Sequence, residues 1–485
     1  MEDAGTGAVV SGPSVVVIGG GWAGLTAAVA AARAGWRVTL LEASRHWGGR
    51  ARRQFLSDSR GERLALDNGQ HILIGAYGAT LGLLEQLGVP WQRQLQRLPL
   101  ALPRPDGSGL VPPGWAAHLP APLTLVATLL TARGWGVRER AAALSRAARW
   151  MAQGFACRPQ ATVADLARGL PARVVADLIE PLAVAALNTP LHMACGATFL
   201  RVLRDALRAP APAGLSPSDL LLPRNDLGAL LPDAATAWLQ AQGAALRLGL
   251  RAVALARCGA HWRIQLDDGA ALYTDAIVLA TPALQAARLA STWAEDPACP
   301  ATQADALRAW AACASALAHI PIATVYARAA RGWRWRWPLP LLALPCDPER
   351  APAQFVFHRC GGNEENGALL AAVVSSPAPQ WNGRRAGLAA AVTQQLAAAL
   401  ACPGVQVLAT VVERRATFAC TPGLQRPPAW LADGLLAAGD YVQGPYPATL
   451  EGAVRSGLAA ADILRRLPWP QPTVQHSATD GQRHR

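Results

Sequence analysis

Three glycines near the start of the chain have the spacing of a phosphate-binding loop. Gly19, Gly21 and Gly24 form the pattern G-x-G-x-x-G, and Glu42 follows 18 residues later. In such a loop the first glycine allows a tight turn, the second lets the backbone approach a pyrophosphate, and the third lets a helix pack closely on a strand. A carboxylate placed like Glu42 can accept hydrogen bonds from ribose hydroxyls. The pattern therefore predicts a dinucleotide site, which also includes the neighbouring residues Trp22, Ala23 and Ala43.

The sequence around this loop predicts the elements that must position it. Residues 14–18 are the apolar run SVVVI, which is typical of a strand buried on both faces. Residues 25–34 have the composition of a helix, Gly35 is a stop signal, and 37–41 form a second strand. The result is a β-α-β unit of about 30 residues, the length that such a unit requires.

The rest of the chain alternates between helical and strand-rich regions. Residues 81–210 are rich in Ala, Leu and Arg and predict mostly helices, interrupted by prolines. Residues 244–280 predict strands again, with Asp268-Gly269 as a hairpin turn. The remaining predicted elements are strands at 323–327, 354–358 and 435–438 and a helix at 450–466.

The composition limits the class of protein. A length of 485 residues exceeds one domain, and 52% hydrophobic against 16% charged residues excludes a disordered chain. The net charge is +13, and every basic residue other than histidine is arginine, which favours contact with an anionic membrane surface. The arginines are scattered and lack a recognition motif, so we do not expect nucleic acid as a partner.

Cysteine usage and hydropathy bear on the cellular location. The nine cysteines contain no C-x-x-C pair, so we predict neither a metal site nor a redox dithiol, and the thiols fit a reducing compartment. The N-terminus carries acidic residues and no secretory signal. No uninterrupted apolar stretch reaches the roughly 18 residues of a spanning helix. We therefore expect a cytoplasmic protein, attached peripherally to the inner face of the membrane.

Several further segments resemble a large family of FAD-dependent enzymes that includes amine oxidases, protoporphyrinogen oxidase and carotenoid desaturases. They are Gly48-Gly49-Arg50, the stretch LDNGQH at 66–71, the hairpin and strand that end in VLATPA, and the C-terminal LLAAGDYVQGPYPATLEGAVRSGLAAADIL. The resemblance implies that the dinucleotide is FAD. The FAD-contacting positions that it adds are Gly48, Gly49, Arg50, Gly69, Gln70, Val253, Ala280, Thr281, Gly439, Asp440, Leu450, Glu451 and Ala453.

The family also gives these segments their roles. Its Gly-Gly-Arg element lies along the pyrophosphate and the flavin, and the backbone near Val253 contacts the adenine side. Asp440 would hold the ribityl and pyrophosphate region, although a turn or cap residue is the alternative. The helix that starts at Leu450 would point its N-terminus at the flavin pyrimidine, where negative charge accumulates on reduction.

The resemblance and the element order together predict an α/β protein. We expect a discontinuous Rossmann-type FAD-binding domain with an inserted α+β substrate domain. The predicted boundaries are 1–90, 211–290 and 406–470 for the FAD-binding domain, 91–210 and 291–405 for the substrate domain, and 471–485 for a flexible tail.

The reaction can be narrowed by comparison within the family. Many amine-oxidising members place a lysine near the flavin, and this chain has none. The C-terminal segment is most similar to desaturases of isoprenoid chains, whose substrates need a long apolar tunnel. Stretches at 66–77, 181–190 and 354–357 resemble the hydroxysqualene dehydroxylases of bacterial hopanoid pathways. This resemblance implies reductive removal of an allylic hydroxyl from hydroxysqualene, a C30 isoprenoid, to give squalene.

Such a reaction needs a proton donor beside the flavin. Water leaves an allylic alcohol only after its oxygen is protonated, and reduced flavin then delivers hydride to carbon. His71 is our first candidate for the donor and Asp67 the second. A purely hydrogen-bonding His71 and a turn-capping Asp67 are the alternatives. Asn188, Phe355 and Phe357 are expected in the substrate wall, although Asn188 is equally typical of a turn.

The segment RGWRWRW at 331–337 alternates tryptophan and arginine. In a strand this alternation would place Trp333, Trp335 and Trp337 on one face and the arginines on the other. Two interpretations stay open: insertion of the tryptophans into a membrane interface, or packing of the tryptophans towards the protein interior.

Other activities also remain open at this point. The same scaffold serves carotenoid or squalene desaturases of the phytoene-desaturase type, amine oxidases, and non-catalytic proteins that bind FAD or isoprenoids. Only one fingerprint loop is present, so the sequence does not identify the electron donor. Upstream prenyl-synthase-like enzymes are the expected associates.

Overall fold

The structure, a computed structural model, describes residues 12–57, 63–359 and 367–467. The predicted tail at 471–485 lies outside these residues. The strands are β1 (Ser14–Ile18), β2 (Arg37–Glu42), β3 (Arg53–Ser57), β4 (Arg63–Asp67), β5 (Leu73–Ile74), β6 (Leu95–Leu98), β7 (Leu102–Pro103), β8 (Gly109–Leu110), β9 (Leu220–Pro223), β10 (Ala245–Leu248), β11 (Ala252–Cys258), β12 (His261–Leu266), β13 (Ala271–Thr274), β14 (Ala276–Leu279), β15 (His319–Arg328), β16 (Leu341–Ala343), β17 (Phe355–Arg359), β18 (Leu369–Ser375), β19 (Gln406–Phe418), β20 (Trp430–Ala432) and β21 (Leu435–Ala437).

The helices are α1 (Trp22–Arg33), α2 (Gly78–Gln86), α3 (Trp91–Gln94), α4 (Ala121–Leu130), α5 (Val137–Ala152), α6 (Val163–Ala167), α7 (Ala172–Val174), α8 (Glu180–Leu187), α9 (Gly196–Arg208), α10 (Leu227–Leu230), α11 (Pro232–Ala241), α12 (Ala283–Ala294), α13 (Ala301–Ser315), α14 (Arg385–Leu400) and α15 (Leu450–Arg466). A π-helical turn, Val175–Ile179, joins α7 to α8.

A six-stranded sheet forms the centre of the fold, in the order β10-β2-β1-β14-β21-β20. β1 pairs in parallel with β2 and with β14, β10 and β21 extend the parallel arrangement, and β20 closes one edge antiparallel to β21. The Val and Ile side chains of β1 are buried, as a strand covered on both faces requires. The α/β fold with a parallel nucleotide-binding sheet, predicted from the sequence, is confirmed.

The end of the chain returns to this sheet. Helix α15 lies against α1 so closely that a Cβ added to Gly457 would be 2.4 Å from the carbonyl oxygen of Ala23. The sheet therefore takes its strands from three separate parts of the sequence, at 14–42, 245–279 and 430–437. This is the discontinuity that the resemblance implied.

A second, antiparallel sheet has the order β16-β17-β18-β15-β19 and carries α14 on one face. Here the structure corrects one predicted boundary. We started the last FAD-binding segment at 406, but β19 pairs with β15 from Gln406 to Phe418. The sequence analysis predicted no strand at 406–418, and the pairing of β19 is decided by contacts far apart along the chain.

Helices α4 to α9 form the insertion between β8 and β9, as the mostly helical pattern of 81–210 predicts. The short strands β6, β7 and β8 interrupt that pattern near its start. β6 pairs with β9, so residues 95–98 join the insertion to the chain that re-enters the cofactor-binding part at 220.

The tryptophan segment at 331–337 is not a strand. It is an extended loop in which Trp333, Trp335 and Trp337 are half-buried, while the residues between them are exposed. The three rings contact one another, and Trp335 stacks on His358 with 5.4 Å between ring centres. The alternation of faces was predicted correctly, and of the two interpretations the inward packing agrees with the structure.

No helix within residues 12–57, 63–359 and 367–467 combines the length and apolarity needed to cross a bilayer.

Candidate functional site

The loop between β1 and α1 has the backbone of a pyrophosphate cradle. Gly19 adopts φ +116°, a conformation that favours glycine, and its added Cβ would be 2.5 Å from the Ala280 carbonyl oxygen. A Cβ on Gly24 would be 1.8 Å from the carbonyl oxygen of Gly19, so the close packing of helix and strand requires glycine there. No side chain caps α1 at Gly21. Its first N–H groups and its dipole are therefore available to an anionic ligand.

The second part of the cradle lies beside the first. The N–H of Gly48 donates to the carbonyl oxygen of Gly20 at 2.8 Å, so the Gly48-Gly49-Arg50 element follows the glycine loop. The indole of Trp22 is buried and donates to the carbonyl oxygen of Ala51 at 3.1 Å. Both contacts hold two sequence-predicted segments together, and they leave the backbone of Gly21 and Gly49 partly exposed.

Glu42 occupies the end of β2, as the fingerprint predicts. Its carboxylate accepts from the N–H groups of Gly20 at 2.7 Å and Ser44 at 2.8 Å, which fixes its orientation and leaves further lone pairs for a ribose. The N–H of Leu250 donates to the Glu42 carbonyl oxygen at 3.2 Å, which brings the start of β11 next to β2. Val253 lies on that strand at a bulge and is exposed, and Ala43 is exposed beside Glu42.

Arg50 and Asp440 meet across 390 residues of sequence. An Arg50 guanidinium nitrogen is 2.5 Å from a carboxylate oxygen of Asp440, and the other terminal nitrogen donates to the Ala416 carbonyl oxygen at 2.8 Å. Burial works to lower the pKa of Arg50, but the attraction of Asp440 and of Glu413 outweighs it and the pKa is raised. Arg50 is therefore charged, and its contact with Asp440 joins the Gly-Gly-Arg element to the C-terminal segment.

Helix α15 begins as the resemblance implies. Thr449 caps it by accepting from the N–H of Gly452 at 2.9 Å, Leu450 is partly exposed at its start, and Ala453 is buried. The N–H of Gly439 donates to the Ser456 hydroxyl at 2.9 Å, so the Gly439-Asp440 turn rests on the same helix.

Glu451 requires a correction. We assigned it to the cofactor, but it is fully buried, and its carboxylate accepts from the N–H groups of Ala79 and Thr80 and from the Thr80 hydroxyl at 2.7 to 3.1 Å. Arg455 donates to it at 2.7 Å. The carboxylate thus caps the N-terminus of α2, where negative charge is favourable. Glu451 positions α15 against α2 instead of contacting a ligand.

Several buried polar atoms around the cradle have no hydrogen-bond partner among the described residues. They are Oε1 of Gln70, Oγ1 of Thr281, Oε1 of Gln285 and the hydroxyl of Tyr441. Buried polar groups are normally paired, so these atoms indicate a polar ligand. Thr281 follows Ala280, whose carbonyl oxygen faces Gly19, and Tyr441 follows Asp440. The residues present therefore fit a flavin dinucleotide. Sequence reasoning missed Gln285 and Tyr441, although the latter lies directly beside a predicted residue.

Asp67 is buried at the end of β4. One carboxylate oxygen accepts from the N–H of Leu227 at 2.7 Å, at the start of α10. The other has no hydrogen-bond partner among the described residues and is 3.6 Å from a guanidinium nitrogen of Arg359. Burial raises the pKa of Asp67 to about 7, against the opposing effects of Arg359 and the Leu227 hydrogen bond. Near neutral pH this carboxyl can therefore hold a proton.

His71 is partly exposed, two residues beyond Gly69. Its Nδ1 is 2.7 Å from the Gly69 carbonyl oxygen, which can only accept, so Nδ1 carries the proton. Burial lowers the pKa of His71, with Arg50 and Arg359 acting in the same direction. The neutral ring thus presents Nε2 as an acceptor. Gln70 is held nearby by its side-chain donation to the His71 carbonyl oxygen at 3.1 Å.

The predicted substrate residues lie at two different places. Asn188 ends α8 with φ +46° and is buried. Its side-chain amide donates to the Thr417 hydroxyl at 2.8 Å and accepts from the N–H of Ser376 at 3.1 Å. It fastens the helical insertion to the second sheet, which agrees with the turn interpretation. Phe355 and Phe357 project from β17 into an apolar cluster shared with the insertion.

An apolar pocket of about 1030 Å³, including its open mouth, lies within the helical insertion. Its walls come from α4, α5, α7, the π-helical turn, α8 and α9, with Leu102 and Leu110 from the β7–β8 hairpin. Arg146 is the one charged residue among the described residues that line it. Most of this lining falls within 91–210, the segment that we predicted as part of the substrate domain, and none of the wall residues was predicted from the sequence. Within the described parts of the chain, no cluster of His, Cys, Asp or Glu is arranged to hold a metal ion.

Comparison with known proteins agrees with this geometry. Residues 17–87 match the NAD(P)-binding Rossmann-like domain, and residues 212–465 match the flavin containing amine oxidoreductases. A hydroxysqualene dehydroxylase from Rhodopseudomonas palustris is 28% identical over 93% of this chain and 98% of its own. One from Sinorhizobium fredii is 26% identical over the same shares. A crystal structure of an oxidoreductase from Methanosarcina mazei superposes with a TM-score of 0.66 at 16% identity, over 93% of this chain and 100% of that one.

The fold and the site define an FAD-dependent oxidoreductase with a Rossmann-type cofactor domain. Within that class, the match over 212–465 covers more than half of the chain. This chain belongs to the flavin containing amine oxidoreductase family.

Proposed function

We propose that this enzyme removes the allylic hydroxyl of hydroxysqualene reductively to give squalene. The observation that carries the proposal is the apolar pocket in the helical insertion, which offers a long hydrocarbon no charged group other than Arg146. An amine cation would meet an arginine there and no carboxylate, and the chain has no lysine. The two hydroxysqualene dehydroxylases that match over nearly their full length support the same substrate class.

The proposed reaction balances as follows. The allylic C–O bond breaks as its oxygen takes a proton, water leaves, and one hydride equivalent forms the new C–H bond. FAD supplies that hydride when it is bound and reduced. The protein must bind the cofactor through the β1–α1 loop, Arg50 and Asp440, exclude water from the pocket, and hold one proton for the leaving oxygen.

Asp67 and His71 remain the two candidates for that proton, and the structure distinguishes their states. The raised pKa of Asp67 lets it hold a proton near pH 7, but the side chain is buried behind Leu227 and Arg359. His71 is more accessible but is neutral near pH 7, with its one proton directed at Gly69. A donor role for Asp67 implies that turnover falls as the pH rises through about 7. A donor role for His71 implies that turnover falls at a lower pH, because the pKa of the imidazole lies below its ordinary value.

The test of the reaction is an anaerobic incubation of the FAD-loaded enzyme with two substrate pairs. One contains hydroxysqualene and a chemical reductant, and the other contains phytoene and an electron acceptor, with products identified by mass spectrometry. Squalene formed only in the first mixture supports the proposal. A desaturated product in the second, without squalene in the first, assigns the enzyme to the desaturases. FAD that neither mixture oxidises or reduces would indicate a non-catalytic binding protein.

A pair of variants connects this activity to the pocket. Leu125 and Leu123 lie on the same helix, but only Leu125 lines the pocket. We expect Leu125→Trp to reduce turnover of hydroxysqualene at least about tenfold because the larger ring fills the cavity. Leu123→Trp is the matched control and should retain turnover. Normal turnover by both FAD-loaded variants would place the substrate elsewhere.

A variant of His71 completes the set. We expect His71→Ala to retain FAD, because none of the Arg50–Asp440 contacts involves the imidazole. Loss of hydroxysqualene turnover in this FAD-loaded variant supports a role for the imidazole in the reaction. Normal turnover would remove His71 from the mechanism.

A further inference from the structure

Helix α4 has the composition of an element that meets apolar surroundings on both sides. Its sequence, APLTLVATLL, contains no charged residue. One side of the helix lines the pocket through Thr124, Leu125 and Leu129. On the opposite side Leu123 is 53% and Leu130 49% exposed. A soluble helix normally shows polar residues on its outer face, so this face calls for an apolar partner.

The neighbouring chain extends this apolar face. Trp115 is 67% exposed in a short 3-10 turn, and Val137 is 84% exposed at the start of α5. The hydroxyl of Thr124 donates to the Ala116 carbonyl oxygen at 3.1 Å, which fastens the 3-10 turn to α4. We call the exposed residues Val111, Trp115, Leu123, Leu130 and Val137 the α4 surface. Singly exposed apolar residues are common, whereas several of them in one short segment are more typical of an interaction site.

The two ends of the α4 surface are also connected. The backbones of Gly109 and Arg133 exchange both of their hydrogen bonds at 3.1 Å. This bridge brings the chain before Val111 next to the chain after Leu130, so the two ends of the segment lie side by side.

Within residues 107–138, the segment that carries the α4 surface, both charged residues are arginines, and Asp106 and Glu139 flank the segment directly. Between residues 107 and 138 the chain contains no Asp or Glu, and Arg133 and Arg138 are exposed in the same segment. The chain as a whole carries +13. Arginine is attracted to anionic headgroups, and tryptophan favours the boundary between headgroups and hydrocarbon.

From this combination we propose that the α4 surface docks on an anionic lipid bilayer and that the substrate enters the pocket past α4. The docking part rests on exposure and charge, whereas the passage of an isoprenoid rests on the proposed function. Insertion of Trp115, Leu123 and Leu130 would place the pocket-lining side of α4 at the edge of the hydrocarbon layer. The tryptophan segment at 331–337 is less suited to this role, because its rings pack against one another and against His358.

Flotation of the FAD-loaded full chain with vesicles tests the docking surface without any substrate. The vesicles contain phosphatidylcholine alone or a mixture with phosphatidylglycerol. The test variant is Trp115→Ser/Leu123→Ser/Leu130→Ser, and the matched control is Tyr273→Ser/Trp430→Ser, which removes two exposed aromatic side chains on β13 and β20. The visible FAD spectrum and the melting temperature verify that both variants are folded.

We expect the wild type and the control to float with the anionic vesicles, less so with neutral ones. The triple variant should bind at least about 30-fold more weakly because three apolar side chains no longer insert. Equal flotation of triple variant and wild type would overturn the proposal, as would a wild type that binds neither vesicle or a control that loses binding equally. If the wild type is a dimer, the triple variant is a monomer and neither binds vesicles, the α4 surface would instead be an interface with a second copy of the chain.

Turnover is then measured separately, so that the docking surface and the proposed function can fail independently. With detergent-dispersed hydroxysqualene the triple variant should equal the wild type, because the three side chains do not line the pocket. With substrate supplied in anionic vesicles its rate should fall in parallel with vesicle binding. Vesicle binding through the α4 surface without turnover in either format would refute the proposed function and leave the docking surface intact.

Discussion

Replacement of Asp67 by asparagine tests the protonation state that burial gives this side chain. Burial raises the pKa of Asp67 from its ordinary value near 3.8 to about 7. Because the folded-state pKa lies above the unfolded-state pKa, the folded protein binds more protons between these values, and the free energy of unfolding falls as the pH rises through this window. One pKa unit corresponds to about 1.4 kcal/mol. Relative to strongly acidic pH, the ionisation of Asp67 therefore lowers the free energy of unfolding of the wild type by about 2 kcal/mol at pH 5 and by about 4 kcal/mol at pH 8.

Asparagine has nearly the same shape and can still accept from the N–H of Leu227, but it does not ionise. Relative to the wild type, Asp67→Asn should therefore gain about 2 to 3 kcal/mol in free energy of unfolding between pH 5 and pH 8. Other titrating groups are common to both proteins and cancel in this difference. The change at a single pH also contains the altered contact with Arg359, so the change with pH is the informative quantity.

The measurement is urea unfolding of both proteins at pH 5 and pH 8, with the same excess of FAD. Asp305→Asn, which removes an exposed carboxylate, serves as the control and should change the free energy of unfolding little. A stability difference between Asp67→Asn and wild type that is the same at both pH values would refute the raised pKa. Turnover decides the catalytic role separately, because a variant that is FAD-loaded and fully active would exclude Asp67 as the proton donor.

Three further substitutions follow from the site. Arg50→Ala leaves its buried partner carboxylate without a counter-ion, so we expect at least about tenfold weaker FAD binding in a fluorescence titration, with exposed Arg45→Ala as the unaffected control. Glu451→Gln places amide hydrogens opposite the Thr80 donors, so we expect urea unfolding to show a loss of about 2 kcal/mol in the free energy of unfolding, with unchanged FAD content. A variant that loses FAD before it unfolds would show instead that Glu451 contacts the cofactor. Gly24→Ala should abolish FAD-loaded protein because its Cβ would be 1.8 Å from a carbonyl oxygen, whereas Gly78→Ala, with open space around it, should not.

The cofactor half of the site could be predicted because its signals are local. The glycine loop, the strands on either side and the stop at Gly35 depend on backbone conformations and hydrophobic runs within a few residues. The start of α15 at Leu450 was predicted from such a segment as well. Glu451 shows the limit of this reasoning, since the segment was placed correctly but its carboxylate caps a helix 371 residues away in sequence.

The substrate half depended on long-range contacts. β19 was not among the strands predicted from the sequence, and its pairing with β15 assigned it to the second sheet. The wall of the pocket combines side chains from six helical segments and a hairpin, and no single segment carries a motif for it. The alternating tryptophans at 331–337 indicated two faces without indicating which face would be covered.

By itself the sequence determined the dinucleotide loop, the α/β class and the order of the elements, because φ preferences, periodicity and chain connectivity are properties of neighbouring residues. Only the tertiary structure decided the ionisation of the site and the surface that remains exposed. The Arg50–Asp440 pair spans 390 residues, and the contact that buries Asp67 against Leu227 spans 160. A pKa depends on burial and on nearby charges, and exposure depends on what packs against a face, so both quantities become defined only when distant parts of the chain come together.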